Sequence, residues 1–171
     1  MKDHRPQLKF WLIGLAMFGA LIALGFVRGD ASQYTILDHQ AAGTAAMVDT
    51  IQADWRANGL RQLAIISMIG DLIFIGFYGC GAFIAGRSFS RIGTGLLRGL
   101  GVIIAGAAVV FLITDYVETI LQLIQLLREQ GVDWMAGTAA TARPIKVAAW
   151  IVTFVGVLLS LGIWQIAARK A

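Results

Sequence analysis

Charged residues are scarce in this chain of 171 residues, where Asp, Glu, Lys and Arg together make up only 14%. Soluble domains carry roughly 25%. The charges fall in short segments between long apolar runs, and 58% of the residues are hydrophobic. This pattern argues against a soluble domain and predicts a single domain that crosses a membrane several times as helices.

Cysteine, histidine and proline are rarer still. The one cysteine, Cys80, lies in an apolar run, which excludes an intrachain disulfide and a metal site built from several cysteines. The two histidines, His4 and His39, lie outside the apolar runs, so neither a membrane haem held by two histidines nor a zinc site is expected. His39 lies in a polar connection, which predicts a solvated side chain. The 2 prolines and 20 glycines suit helices that approach one another closely.

Motifs that mark enzymes or nucleic-acid binding are also missing. The chain has no P-loop, GxSxG, HExxH or CxxC sequence, and Ser67 and Tyr78 have no base beside them. An aspartate pair can perform acid–base chemistry, but no substrate is indicated, so the sequence leans away from an enzyme. The net charge of +4 comes from basic residues that flank apolar runs, which indicates membrane topology rather than nucleic-acid binding.

Four apolar runs predict four transmembrane helices, at about residues 10–27, 60–86, 99–127 and 144–167. Arg28, rather than a small-residue cleavage site, follows the first run, which favours a retained helix over a signal peptide. Pro144 suits the first turn of the fourth helix, with Thr141 as a cap. Residues 131–143 are then predicted to form a second external loop.

The connection between the first two spans predicts an external amphipathic helix. Thr44 is a suitable N-cap and Asn58-Gly59 a suitable C-cap. One face of this helix is apolar, and Gln52 lies on another face. The apolar face consists of Met47, Val48, Ile51 and Trp55. Trp55 is expected to be an interfacial anchor. The helix could pack on the bundle, lie among the lipid headgroups or form a lid over a pocket.

Lys and Arg residues predict the orientation, because short cytoplasmic segments of membrane proteins are enriched in them. With both termini inside, the inner side holds eight of the 14 such residues: Lys2, Arg5, Lys9, Arg87, Arg91, Arg98, Arg169 and Lys170. These eight lie in very short segments, whereas the other six are spread over two longer connections. The distribution predicts cytoplasmic N and C termini.

A polar face runs along the third predicted span. Asp115, Glu118, Gln122 and Gln125 recur at spacings of three and four residues, which places them on one side of a helix. A carboxylate that faces lipid is costly. This side is therefore predicted to face protein or water.

Asp71 is predicted to lie at the same depth as Asp115. At the helical rise of about 1.5 Å per residue, Asp71 lies about 24 Å before Arg87 and Asp115 about 25 Å after Arg98. The acids Asp71, Asp115 and Glu118 should therefore converge in the outer part of the bilayer.

Three neighbouring acids need a compensating positive charge. It could be a metal held by these three residues, a shared proton, an amine ligand or a basic side chain. The basic candidates are Arg61, Arg128, Arg143 and Lys146. All four are placed near the aqueous boundary, which favours acids around an empty or cation-filled pocket. A purely structural ion-pair network remains the alternative.

Three short patterns carry a family resemblance: Gly43-Thr44 opening a helix with Ile51 and Trp55, Gly70-Asp71-Leu72-Ile73-Phe74, and Asp115-Tyr116-Val117-Glu118. With them the chain resembles a loosely defined group of uncharacterised bacterial inner-membrane proteins with four spans. Thr119 departs from the group's pattern, in which an asparagine often follows the glutamate. The resemblance implies four helices in a bacterial inner membrane and supplies no activity.

Three functions stay open on these grounds. The first is a small inner-membrane protein whose outward-facing acidic pocket binds a cation or a cationic amphipathic ligand. Its predicted contact residues are Asp71, Asp115, Glu118, Gln122, Tyr78 and Ser67. The second is a proton- or cation-conducting transporter or channel subunit, although the apolar stretch Leu100–Leu112 counts against a pore in a monomer. The third is an accessory subunit that docks through glycine-rich faces onto another copy or a larger membrane complex.

Overall fold

The computed structural model describes residues 6–27 and 31–169, and every regular element in this part is an α-helix. In chain order the helices are α1 Lys9–Val27, α2 Ile36–Gln40, α3 Ala45–Ala57, α4 Arg61–Ile92, α5 Gly95–Arg128 and α6 Asp133–Arg169. The predicted all-α class is confirmed.

Three of these helices, α4, α5 and α6, are long and apolar enough to cross a membrane. The apolar part of α1, Lys9–Gly25, is shorter than that requirement over the described residues. The structure therefore supports a membrane protein with three candidate spans, and the fourth span stays a prediction.

The bundle is centred on α5, which packs against α4 on one side and α6 on the other, while α1 packs on α4. Aromatic side chains from three helices meet in the interior, where Phe74, Tyr78, Phe111 and Trp150 contact one another. Large apolar side chains, among them Val102, Ile113 and Leu159, are exposed on the outside. An apolar outer surface of this kind suits contact with a lipid bilayer.

Glycines permit the closest helix contacts. A Cβ atom on Gly86 would lie 2.6 Å from Ala105 N and 2.7 Å from Gly101 O, so only a glycine allows α4 and α5 to approach this closely. A Cβ atom on Gly14 of α1 would lie 2.5 Å from the Cα atom of Tyr78. The general prediction that glycines let helices approach closely is confirmed at these two positions.

The helix that contains the fourth predicted span begins earlier than expected, because the predicted loop at residues 131–143 is helical from Asp133 onward. Pro144 lies inside α6 rather than at its start, and the Thr141 hydroxyl donates to Gly137 O instead of capping a helix. The segment is rich in alanine, the strongest helix former, and three of its alanines are buried: Ala136, Ala139 and Ala142. The Asp133 carboxylate accepts the Ala45 N–H at 2.7 Å and ties the start of α6 to α3. These contacts outweigh the single backbone hydrogen bond that proline cannot make.

The amphipathic helix α3 forms with the predicted caps. The Thr44 hydroxyl accepts from Met47 N at 3.3 Å, and Asn58 is followed by Gly59 with φ +70°. Trp55, however, is only 1% exposed and is not a surface anchor. Its indole donates to Tyr34 O at 3.1 Å.

Trp55 and Ile51 pack against Ala64 and Met68 of α4 and Leu126 of α5. This places α3 across the ends of α4 and α5. Gln52 is buried as well, although the sequence placed it away from the apolar face.

The prediction of a solvated His39 is wrong, because its side chain is 2% exposed. The imidazole packs against the ring of Trp55, with centroids 5.1 Å apart, and its Nε2 lies 3.3 Å from Gln52 Nε2. Burial lowers the pKa of His39 to about 4, because a charged imidazole would lose its hydration. The neutral ring therefore serves as a packing element between α2 and α3.

The contact at Gly86 yields a prediction about stability. Gly86→Ala should destabilise the protein by about 1–3 kcal/mol, because the added methyl group meets backbone atoms that cannot move aside. Gly106→Ala is the matched control: it lies in α5 with no atom within 4 Å of its Cβ position, so helix propensity predicts a neutral or stabilising change. Thermal unfolding of both variants in detergent measures the difference. Equal melting temperatures would contradict the close α4–α5 contact.

Candidate functional site

Three helices bring ionisable groups together in the interior. Asp71 comes from α4, Asp115 and Glu118 from α5, and Lys146 from α6. Lys146 Nζ lies 2.8 Å from Asp115 Oδ1 and 3.0 Å from Glu118 Oε1. The residue exposures are 3% for Asp115, 0% for Glu118 and 9% for Lys146. We call these four residues the acid–lysine cluster.

The polar face of α5 positions the two glutamine side chains as well as the two acids. As the spacing predicted, Asp115, Glu118, Gln122 and Gln125 are all buried. Gln125 has a structural role, since its Oε1 accepts the Val132 N–H at 2.9 Å in the link to α6. Gln122 Nε2 lies 3.5 Å from Glu118 Oε1, at the limit of a hydrogen bond.

Asp71 is linked to the cluster through Thr119. The Thr119 hydroxyl donates to Asp71 Oδ2 at 3.2 Å, and Asp71 lies close enough to interact electrostatically with Asp115 and Lys146. The convergence of the α4 and α5 acids therefore agrees with the matched depths. Thr119 was noted in the sequence only as a departure from a family pattern. Its position beside Glu118 on the inner face of α5 is the signal that could have identified it.

The sequence placed Lys146 nearer the aqueous boundary than the acids, but the structure places it in contact with two of them. Because α6 begins at Asp133 and not at Pro144, Lys146 lies more than three helical turns inside the helix. There it pairs with two of the acids. The favoured arrangement, in which the acids surround an empty or cation-filled pocket, is therefore corrected: a basic side chain pairs with two of the acids. Another basic candidate, Arg61, pairs with Glu129 instead.

Lys146 does not compensate all of the acidic charge. Within residues 6–27 and 31–169, it is the only basic residue that forms an ion pair with any of Asp71, Asp115 and Glu118. The second carboxylate oxygen of Glu118, Oε2, is buried without a hydrogen-bond partner in this part of the chain. Three carboxyl groups thus share one ammonium group, and one buried acceptor is left over.

The candidate metal ligands do not gather as a metal centre. In the described part of the chain, no group of three or more His, Cys, Asp or Glu side chains could hold a metal ion. An ammonium group already contacts both Asp115 and Glu118, which takes up oxygen atoms that a hard cation would need.

An apolar cavity of about 540 Å³ lies beside the cluster. Its polar lining consists mainly of Ser67 and Asp71 from α4 and Thr119 and Gln122 from α5. The rest is mostly apolar, with contributions from α1, α2, α3 and α4: Phe18, Leu21, Ile22, Leu24, Ile36, Leu37, Trp55, Leu60, Leu63, Ala64 and Met68. Ile22 and Leu37 are exposed, so the cavity reaches the protein surface there.

The predicted site residues divide into two groups and one residue that belongs to neither. Ser67, Asp71 and Gln122 line the cavity, whereas Asp115 and Glu118 lie behind them in contact with Lys146. Tyr78 is not part of either group, because its hydroxyl lies 2.9 Å from Thr153 Oγ1 and its ring packs on Trp150. The contributions of α1 and α2 to the cavity were not predicted, because apolar residues on these helices give no sign of which neighbour they face.

Fold and site together define an all-helical protein with three helices able to span a membrane and a buried acid–lysine cluster beside an apolar cavity. Comparison of the chain with protein-family models, with curated proteins and with solved structures finds no match. Function is therefore inferred from the residues of this chain.

The ion pairs of Lys146 yield a prediction about stability. Lys146→Met keeps most of the side-chain volume but leaves buried carboxylates without their cation, which should cost on the order of 3–5 kcal/mol. Asp115→Asn should also lower stability, but by less, because the Lys146 ammonium group keeps its contact with Glu118 Oε1 at 3.0 Å. The double variant should be more stable than the sum of the two single effects predicts.

Unfolding in detergent at pH 7 and at pH 5 measures these differences. The cost of Lys146→Met should shrink at the lower pH, where protonated carboxyl groups no longer need a cation. A Lys146→Met variant as stable as the wild type at pH 7 would contradict a structural role for the pairs.

Proposed function

We propose that this chain is a bacterial inner-membrane binding protein whose cavity takes an amphipathic cation. The positive group binds at Asp71, and the apolar part fills the space between α1, α2, α3 and α4. One observation carries the proposal: an apolar cavity is lined by Asp71, the one acid of the cluster that forms no ion pair within the described residues.

The size and lining of the cavity support an organic ligand. Its volume of about 540 Å³ falls within the range of about 300–1,000 Å³ that is common for small-molecule sites. Apolar walls favour the burial of an alkyl or aromatic group by about 25 cal/mol for each Å² removed from water. A carboxylate at the end of such a cavity favours a positively charged group and disfavours an anion. A bare metal ion would make no use of these walls.

The proposal includes a membrane arrangement with four spans. In this arrangement α1 is the first span, because it packs against α4 at Gly14. Helices α2 and α3 lie outside the membrane and cover part of the cavity. Both termini are cytoplasmic, since Arg87, Arg91 and Arg98 cluster around the link between α4 and α5. Lys2, Arg5 and Lys170 also enter the charge pattern, but they lie outside the described residues. The cavity then opens on the outer side.

The two other functions are less well supported. A conducting path would have to pass the half of α5 that contains Ile104, Ala108 and Phe111, which are buried apolar side chains. Docking through glycine-rich faces draws little support from the glycines at helix crossings, because Gly14 and Gly86 already serve contacts inside the chain. We therefore favour ligand binding.

Binding can be tested with octylamine, a single-chain amine that is protonated at neutral pH. Isothermal titration of the detergent-solubilised chain should detect binding, and Asp71→Asn should weaken it at least tenfold, because Asp71 is the only charged side chain among the described residues that line the cavity. Glu129→Gln is the matched control, since it removes a carboxylate that pairs with Arg56 and Arg61 outside the cavity. Octanol, the neutral analogue, should not distinguish wild type from Asp71→Asn.

The proposal is wrong if the wild type does not bind octylamine more tightly than octanol. An Asp71→Asn variant that folds normally and keeps full affinity for octylamine would also refute it. The melting temperature of each variant controls for folding.

The orientation can be tested by cysteine labelling in a Cys80→Ser background. Asn58 lies at the end of α3 and Thr94 in the α4–α5 link, and both are exposed. A membrane-impermeant maleimide added to intact cells should label Asn58→Cys but not Thr94→Cys. The reverse pattern would mean that the proposed topology is inverted.

A further inference from the structure

The acid–lysine cluster has more carboxyl groups than its one ammonium group can balance. If Asp71, Asp115 and Glu118 were all ionised, Lys146 would leave two negative charges uncompensated. Charges buried without partners are far more costly than buried neutral groups. The empty site therefore has to hold a proton, unless a cation replaces it.

No other charged or titratable group within residues 6–27 and 31–169 forms an ion pair with the acids of the cluster. Facing the cluster, α4 contributes Asp71, α5 contributes Asp115 and Glu118, and α6 contributes Lys146. Tyr116 on α5 donates its hydroxyl to Leu72 O. His39 on α2 packs instead on Trp55 and Gln52. The cavity walls from α1 and α3 contribute no charged side chain.

Among the three acids, Glu118 is the one whose ionised form is supported least. Its side chain is fully buried, and its Oε2 has no donor within the described residues. Asp115 lies nearer to the ammonium group, at 2.8 Å against 3.0 Å for Glu118. Asp71 is only half-buried, accepts from Thr119 and lies at the cavity.

A proton on Glu118 Oε2 would leave a neutral hydroxyl group without a partner. That is a smaller penalty than a second unpaired charge in the same place.

We infer that Glu118 is held in its protonated form, so that the cluster presents one net negative charge, on Asp71, and the cavity selects organic cations that carry a single positive charge. In this state Asp115 and Lys146 balance each other, and Glu118 is neutral. The ligand class in this inference rests on the proposed function, whereas the protonation state of Glu118 does not. It adds a charge limit to the ligand class: a single ammonium group on an apolar body.

The protonation state can be measured without any ligand. A protonated carboxyl group gives an infrared C=O stretching band that an ionised carboxylate lacks. At pH 7 the wild-type chain should show one such band, and Glu118→Gln should abolish it. Asp71→Asn and the control Glu129→Gln should both retain it. Absence of the band in the wild type, or its persistence in Glu118→Gln, would overturn the inference.

Thermal stability provides a second test of the protonation state of Glu118. Glutamine resembles a neutral glutamic acid in shape and charge, so Glu118→Gln should melt close to the wild-type temperature. If Glu118 is instead the ionised partner of Lys146, the variant should lose stability as clearly as Asp115→Asn does. That loss would refute the inference.

The charge of the ligand provides a third test, which reports the net charge of the site. N-octylpropanediamine carries the chain of octylamine and two positive charges. If the site has one net negative charge, the diamine should bind no more tightly than octylamine. If the site has two net negative charges, the diamine should bind at least tenfold more tightly, and that result would overturn the inference. If neither amine binds while the infrared band behaves as expected, the proposed function fails and the protonation of Glu118 stands.

Discussion

The pairing of Lys146 with Asp115 and Glu118 is the constraint on which the interior depends. A nearby positive charge lowers the cost of burying acids in apolar helices, and this charge comes from α6 while the two acids that it contacts come from α5. The pair fixes how α5 and α6 sit against each other, since a shift of one residue on either helix would turn a charge toward the apolar side. Thr119 extends the same network to Asp71 on α4.

The cavity follows from how α1 meets α4. The two helices are in close contact at Gly14 of α1 and at Gly81 of α4, where even a Cβ atom would not fit. Farther along α1, no atom lies within 4 Å of the Cβ position of Gly19 or Gly25, and the cavity is lined by Phe18, Leu21, Ile22 and Leu24. Helices α2 and α3 line part of this wider end, and contacts of Trp55 and the buried His39 hold them in place.

The sequence predicted periodic features well and context-dependent ones poorly. The spacing of polar residues from Asp115 to Gln125 gave the buried face of α5, because a helix repeats every 3.6 residues whatever surrounds it. Pro144 misled the prediction, since a proline is common at a helix start but is also tolerated inside a helix that is held by its neighbours. That one error displaced Lys146 from the interior. His39 and Trp55 were misplaced because burial under a cap depends on contacts between segments that are distant in the chain.

The two halves of α5 differ in a way that bears on function. One half carries the acids and borders the cavity, while the other half buries Ile104, Ala108 and Phe111 against neighbouring helices. An ion that reached Asp71 from the cavity would meet close-packed apolar side chains if it continued along this face of α5, because Ile104, Ala108 and Phe111 offer no ligand atoms to replace its water. A site that is polar at one end and apolar beyond it holds a ligand more readily than it conducts one. This asymmetry is the reason why we propose binding rather than passage.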